Sequence, residues 1–335
     1  MTSPRWATPA VLSGLAACSV GLAITFTLAA RHGWDEFIDY DAVFFRSVAS
    51  NLDPSHVHGD VTAFRYGRVG LPLLARILAL GAPSALTATQ MLVTPLAFGA
   101  LVAAAVSMAG RLSGRWWHGL VVVAVPGVWV GAVNALADTL LAACLVVSIW
   151  ATLEDRRWAC VVAIALAALT KEVGVLCAVP PVAAALVAGR PRWALERALA
   201  LGPAVLWWSW VRLQAGEWPA LADDPSRAGA ISPPLVDVVH AMTGGRGAPI
   251  AALFSLLLGG LGLNVAVRHR RSPLAWSAGF WSVLTLSFGD NVLFYIGDTL
   301  RVATPATAVV LLAVVLLDHE RSRARERPAT SVDGA

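Results

Sequence analysis

Charged residues are scarce in this chain of 335 residues, at 14% against about 25% in a typical soluble domain. Hydrophobic residues make up 57% of the chain, and its mean hydropathy is +0.68. This composition argues against a soluble domain and favours a protein embedded in lipid. The net charge of +4 comes from short arginine clusters between apolar runs, which is typical of membrane-protein loops. We therefore expect membrane lipids, and no nucleic acid, as partners.

Several familiar site motifs are also missing. The sequence has no P-loop, no glycine-rich dinucleotide fingerprint and no HExxH pattern. Its four cysteines lie inside apolar runs without metal-ligand spacing, so we interpret them as small core residues. His56, His58 and Asp60 have a spacing that suits a divalent ion, but two histidines and one carboxylate in a loop are weak evidence. We predict no metal ligands and no certain cofactor, with a divalent cation as the open alternative.

Apolar segments dominate what is present. About 20 apolar residues are needed to cross a hydrocarbon core of about 30 Å, and the segments predict an all-α fold, a polytopic transmembrane helical bundle of about ten spans. The first segment is longer than a signal-peptide core, so we expect it to be retained. The predicted spans cover residues 8–30, 85–109, 117–133, 137–153, 157–170, 173–189, 194–213, 248–267, 273–289 and 302–318.

The arginine clusters set the orientation. With ten spans and both termini in the cytoplasm, the clusters between spans all lie on the cytoplasmic side of the cell membrane, and most carboxylates lie outside. A crossing at 69–82 would invert this arrangement, so we predict a surface or re-entrant helix there. We expect one domain over 1–320, long outer loops at 31–84 and 214–247, and a disordered basic cytoplasmic tail at 321–335.

The first outer loop carries two pairs of candidate residues. Asp39 and Asp41 follow the first span at an apolar boundary, where a carboxylate can serve as a general base, although a solvated acidic loop would look the same. Arg65 and Arg68 are spaced to clamp a phosphate, or to anchor a lipid headgroup. Asp138 opens the span at 137–153, where it either caps the helix or joins a site.

Further candidates stand at the outer ends of later spans. Lys171 is the only lysine, and it precedes Glu172 between two apolar segments, where charges are either paired with each other or functional. Tyr295, Asp298 and Arg301 come before the last span. Arg301 either faces a lipid phosphate or pairs with Asp298.

Five short motifs, spread over most of the chain, together give a family resemblance. They read IDYDAVFFRSVA, AFRYGRVGLPLLARILAL, ADTLLAACLVV, ALTKEVGVL and LRVATPATAVVLL. In this order they resemble the GT-C superfamily of polyprenyl-phosphate-dependent glycosyltransferases, in particular bacterial mannosyltransferase-like members. The resemblance implies an inverting transfer of a sugar such as mannose, from a polyprenyl-phosphate donor to a glycan, lipid or protein acceptor, on the extracytoplasmic face of the cell envelope.

The resemblance also implies roles for residues. Asp41 is the best match for the general base, with Asp39 second. The expected lipid-phosphate cations are Arg65, Arg68, Lys171 and Arg301, and the expected further substrate contacts are Glu172, Asp138, Tyr295 and Asp298.

This chain departs from the family pattern at two places. Relatives often read Asp-Gly-Gln where it has Asp41, Ala42 and Val43, and often have Arg at the position of Lys171. The first departure removes a polar contact, whereas the second keeps the charge. Two other classes stay open: a lipid or solute transporter or flippase, and a non-catalytic membrane protein of GT-C-like fold. Transporters often carry inverted repeats, and no clear internal repeat is visible here.

Overall fold

The fold is all-α. The structure, a computed structural model, describes residues 7–32, 41–56, 62–133, 135–222, 233–243, 249–270, 272–293 and 296–326. The regular elements in these ranges are α-helices and short 3-10 helices. The fold class predicted from the sequence is therefore confirmed, whereas the number of membrane crossings stays a prediction.

The helices follow one another with short connections. In chain order they are α1 Ala7–His32, α2 Asp41–Ser50, α3 Ala63–Gly67, α4 Gly70–Leu78, α5 Leu86–Leu112, α6 Pro126–Val133, α7 Ala137–Leu153, α8 Arg157–Thr170, α9 Val179–Val187, α10 Pro191–Leu199, α11 Gly202–Ala215, α12 Val236–Met242, α13 Pro249–Arg268, α14 Pro273–Thr285, α15 Asp290–Leu293, α16 Ile296–Val302 and α17 Thr304–Glu326. The 3-10 helices are Pro54–His56, Pro83–Ala85, Trp116–Ala124 and Glu172–Ala178.

Three helical segments are long and apolar enough to cross a membrane, namely Ala7–Arg31, Pro83–Leu112 and Pro249–Arg268. Four further apolar helices are shorter, namely Ala137–Leu153, Arg157–Thr170, Glu172–Val187 and Thr304–Leu317. Large apolar side chains are exposed along α1 and α13, for example Leu12, Leu15, Leu257 and Val267. Exposed apolar surface of this extent marks a lipid or partner interface.

Each predicted span coincides with helical structure, but several are interrupted. The segment predicted at 117–133 is the 3-10 helix Trp116–Ala124 followed by α6. The segment at 173–189 starts as the 3-10 helix Glu172–Ala178 and continues as α9, and the segment at 194–213 is divided between α10 and α11. α17 continues to Glu326, and the rest of the predicted tail at 321–335 lies outside the described residues.

Glycine allows the closest helix contacts. A Cβ on Gly14 of α1 would lie 2.8 Å from the carbonyl oxygen of Gly99 in α5, and the reverse distance is the same. Gly262 of α13 lies against Ser282 of α14 in the same way. Small residues that let backbones approach are the usual means of helix association in lipid, where burial of apolar surface contributes little. At the centre of the bundle, α7 is buried along most of its length.

The predicted surface helix at 69–82 is α4. Its nine residues extend about 13 Å, too short to cross a hydrocarbon core of about 30 Å. Arg76 donates from Nη1 to the carbonyl oxygens of Ala49 (2.8 Å) and Ser50 (2.9 Å), which ties α4 to the C-terminal end of α2. The segment from α2 to α4 therefore forms a helical layer at one end of the bundle.

Candidate functional site

A buried ion pair lies at the centre of the candidate site. Lys171 Nζ lies 2.5 Å from Oδ1 of Asp138, and both side chains are almost wholly buried. Asp138 is in the first turn of α7, and Lys171 follows the last residue of α8, so both occupy the same end of the bundle. A buried charge without a partner is costly, which explains why the only lysine of the chain faces a carboxylate.

Arg301 brings a second cation to the same carboxylate. Its Nε lies 3.7 Å from Oδ2 of Asp138, and its Nη2 lies 3.9 Å from Asp298. Arg301 belongs to α16, just before α17. The two oxygens of Asp138 thus face cations from two distant parts of the chain.

The residue after Lys171 forms a separate pair. Glu172 accepts two hydrogen bonds from Arg68, from Nε and from Nη2, both at 2.8 Å. Glu172 lies one residue before the predicted span 173–189. Burial raises the pKa of Glu172, but the charge and hydrogen bonds of Arg68 outweigh burial and hold that pKa below its ordinary value.

Arg65 lies next to Arg68, because both guanidinium groups contact the ring of Phe64. The Arg68 guanidinium lies 4.1 Å from the ring centre of Phe64, and Arg65 lies 4.4 Å from that of Phe44 and 5.7 Å from that of Phe64. Both arginines are buried. Cation–π contacts of desolvated arginine contribute about 2 kcal/mol each. The two arginines are therefore fixed side by side between the loop helices and the bundle.

Tryptophans of α11 hold this arginine segment in place. Trp207 donates from its indole to the carbonyl oxygen of Tyr66 (2.7 Å), and Trp208 donates to that of Gly67 (3.0 Å). A Cβ on Gly70 would lie 2.6 Å from Oγ1 of Thr170, so only glycine lets α4 approach the end of α8 here. The arginines are thus supported by rigid elements.

The backbone of the predicted base, Asp41, lies near this group in space. Asp41 is the first residue of α2. The next residue, Ala42, is fully buried in a cluster with Ala135 and Leu136, which directly precede α7, and its carbonyl oxygen accepts a hydrogen bond from Gln90 (3.0 Å). The start of α2 is therefore packed against the start of the helix that carries Asp138.

A cavity of about 180 Å³ opens beside the charged residues. Arg68, Lys171 and Arg301 line it, and Glu172 is the carboxylate among its described lining residues. Asp138 stands behind the two cations that it pairs with. The remaining wall is largely apolar, formed by Val173, Leu284, Phe288, Val292, Val302 and Ala306. A lining that combines three cations and one carboxylate with apolar side chains suits an anionic group attached to an apolar chain.

Two buried donors in the lining residues lack acceptors. Arg301 Nε and the indole nitrogen of Trp281 are enclosed and form no hydrogen bond with the described residues. Leaving such a donor unpaired costs about 1–3 kcal/mol, so an oxygen-rich ligand would gain by accepting from them once the side chains turn towards the cavity. Trp281 was not among the predicted site residues, because a tryptophan inside an apolar run looks like a core or interface residue.

The structure shows which partners the charged candidate residues have. Lys171 and Glu172 are not paired with each other, as one alternative had it. Lys171 pairs with Asp138 of α7, and Glu172 pairs with Arg68, which lies between α3 and α4. Asp138 lies in the first turn of α7, as the helix-terminus alternative had it, and its side chain also accepts a hydrogen bond from Lys171. Arg301 does approach Asp298, but it lies nearer to Asp138.

Several predicted positions lie outside what the structure describes. Asp39, Tyr295, His58 and Asp60 are beyond the described residues, and so is the side chain of Asp41. Within the described part, no group of three or more His, Cys, Asp or Glu residues is placed to hold a metal ion.

Comparisons of the chain with family models, with curated proteins and with solved structures each find no match.

Proposed function

We propose that this chain is a multi-pass membrane glycosyltransferase of GT-C type, which transfers a sugar from a polyprenyl-phosphate donor to an acceptor on the extracytoplasmic face. The observation that carries the proposal is the cavity lined by three cations and by mostly apolar side chains. A polyprenyl phosphate has the matching parts, since its phosphate is anionic and its chain is apolar. The bundle end that holds the cavity is the outer end in the topology predicted from the arginine clusters.

The cations have a defined role in this reaction. Lys171 and Arg301 are held by Asp138 before any ligand binds, and Arg68 is held by Glu172. Preorganised charges stabilise a developing anion without rearrangement at the moment of reaction. These three residues would bind the donor phosphate and stabilise the charge that grows on it as the sugar leaves.

The transfer itself needs a base and a leaving group. The Asp41 carboxylate takes the proton of the acceptor hydroxyl while that oxygen forms a bond to the anomeric carbon from the face opposite the phosphate. The bond between the anomeric carbon and the phosphate oxygen breaks, and its electron pair leaves with the polyprenyl phosphate. The configuration at the anomeric carbon is inverted. Asp39 is the second candidate for the base.

The test is sugar transfer by the purified chain in liposomes supplied with labelled polyprenyl-phosphate mannose or glucose. We expect Asp41→Asn to lower kcat at least about 100-fold, the usual scale of general base catalysis. Asp53→Asn is the matched control from the same loop, and it should retain transfer. Unchanged transfer in Asp41→Asn would exclude Asp41 as the base.

A second variant addresses the cavity. Trp281→Phe removes the unpaired indole N–H and keeps an aromatic ring. Since this donor has no partner among the described residues, we expect little loss of stability, but a KM for the donor raised about three- to tenfold. Movement of labelled lipid across the bilayer, without any transferred sugar, would instead identify a flippase and contradict the proposal.

A further inference from the structure

A second cavity lies at the opposite end of the bundle. Its volume is about 460 Å³. Leu153 at the end of α7 lines it, whereas Asp138 at the start of α7 belongs to the candidate active site. The 17 residues of α7 separate the two ends by about 25 Å, close to the thickness of a hydrocarbon core. The two cavities therefore lie near opposite faces of the predicted membrane.

The charge of this cavity has one sign. Arg268, His269 and Arg270 line it, and none of its described lining residues is acidic. Two lining leucines precede carboxylates in the chain: Leu153 precedes Glu154, which pairs with Arg111 at 3.0 Å, and Leu317 precedes Asp318. Ser272 and Pro273 place the N-terminal end of α14 at the rim, where the helix dipole favours an anion.

The turn that presents these cations is held by hydrogen bonds. The backbone N–H of Ser272 donates to the carbonyl oxygen of His269 (2.8 Å), and the Trp276 indole donates to that of Arg270 (2.7 Å). The other wall is apolar and is formed by Leu112, Leu153 and Leu317. A cationic rim over an apolar wall matches a phospholipid, whose headgroup is anionic and whose acyl chains are apolar.

Exposed tryptophans surround the same end. Trp116 and Trp117 follow α5, Trp158 opens α8, and Trp276 lies in the first turns of α14, and all four are exposed. Tryptophan is enriched where the membrane meets water, at the level of the headgroups. The cavity therefore lies at the depth at which a lipid headgroup would be found.

We propose that this cavity binds the headgroup of an anionic phospholipid of the inner leaflet. Basic pockets between transmembrane helices on the cytoplasmic side commonly take such headgroups. Arg268 and Arg270 contact the phosphate, and the leucine wall accepts the upper part of an acyl chain. The proposal requires a membrane protein with this end inside, but it does not depend on sugar transfer.

The experiment measures binding of phosphatidylglycerol and of phosphatidylcholine to the full chain in detergent micelles, by native mass spectrometry. We expect selective retention of phosphatidylglycerol, and a roughly ten- to thirtyfold loss of that selectivity in Arg268→Gln/Arg270→Gln. Arg190→Gln/Arg192→Gln removes the same charge away from the cavity and should retain binding. If both double variants lost selectivity for phosphatidylglycerol equally, the effect would come from general surface charge, and the proposal would be overturned.

A third variant tests whether binding needs the space of the cavity as well as the charge of its arginines. Ser272→Trp keeps both arginines and fills the cavity, so we expect it to abolish selective binding while the melting temperature stays near that of the parent. Retained binding in Ser272→Trp would overturn the proposal. Displacement of the lipid by millimolar inorganic phosphate would also overturn it, since the site would then recognise a free anion.

Discussion

Replacing Asp138 by asparagine removes the carboxylate that Lys171 and Arg301 both face. Breaking a buried ion pair costs about 3–5 kcal/mol, since a charge is left without compensation. We expect Asp138→Asn to destabilise the protein more than Lys171→Met, because the methionine variant leaves Asp138 with Arg301. Thermal unfolding in detergent checks the order, and equal or reversed melting temperatures would contradict it.

The pair of Glu172 with Arg68 predicts a dependence of stability on pH. Because the pKa of Glu172 is lower in the folded protein than its ordinary value of 4.5, the ionised form stabilises the fold. That contribution is complete above the ordinary pKa and is lost as pH falls through the lowered one.

Glu172→Gln tests this dependence. We expect the variant to be less stable than the parent at pH 7, and to lose less further stability on acidification to pH 3. Melting temperatures measured across that range give the comparison. Parallel curves for the two proteins would show that the pair does not contribute.

At the scale of helices, replacing glycine by alanine should have opposite effects on stability at two positions. Gly99 lies in the contact of α1 with α5, whereas Gly260 has open space around it. Gly99→Ala places a methyl group 2.8 Å from the carbonyl oxygen of Gly14, so α1 must move, at a cost of about 1–3 kcal/mol. Gly260→Ala on α13 meets nothing within 4 Å, so the same change should stabilise by a few tenths to about 1 kcal/mol. Equal effects of both on melting temperature would show that α1 does not pack through this glycine.

Helix positions were largely predictable from the sequence, and helix continuity was not. The bounds predicted for α7 and α8 agree with the structure because their apolar runs end at charged residues on both sides. The breaks near Val125, and between Ala178 and Val179, were missed because apolar runs continue through them.

The candidate site was predictable as a set of residues but not as a set of pairs. Apolar surroundings single out Lys171, Glu172, Asp138 and Arg301, since isolated charges are rare there. Which cation meets which carboxylate depends on contacts between helices that are far apart in sequence. Only the structure shows that Lys171 pairs with Asp138 and that Glu172 pairs with Arg68.

For the whole molecule, the predicted topology places the end with the candidate site outside and the end with the second cavity inside. With the four native cysteines replaced by alanine, Ser55→Cys should react with a membrane-impermeant maleimide in intact cells. Arg192→Cys should react only after the membrane is opened. Both positions are exposed in the fold, so access is set by the side of the membrane. Labelling of both positions in intact cells would refute the ten-span arrangement.

Arg301 lines the cavity, and its position late in the chain has a consequence for synthesis. Asp138 and Lys171 can meet once α8 has left the ribosome, but Arg301 follows only when most of the chain has been translated. A nascent chain, or one ended by a premature stop codon before Arg301, retains the Asp138 pair and lacks a wall of the cavity. Under the proposed function, competence to bind the donor phosphate is therefore acquired only near the end of translation.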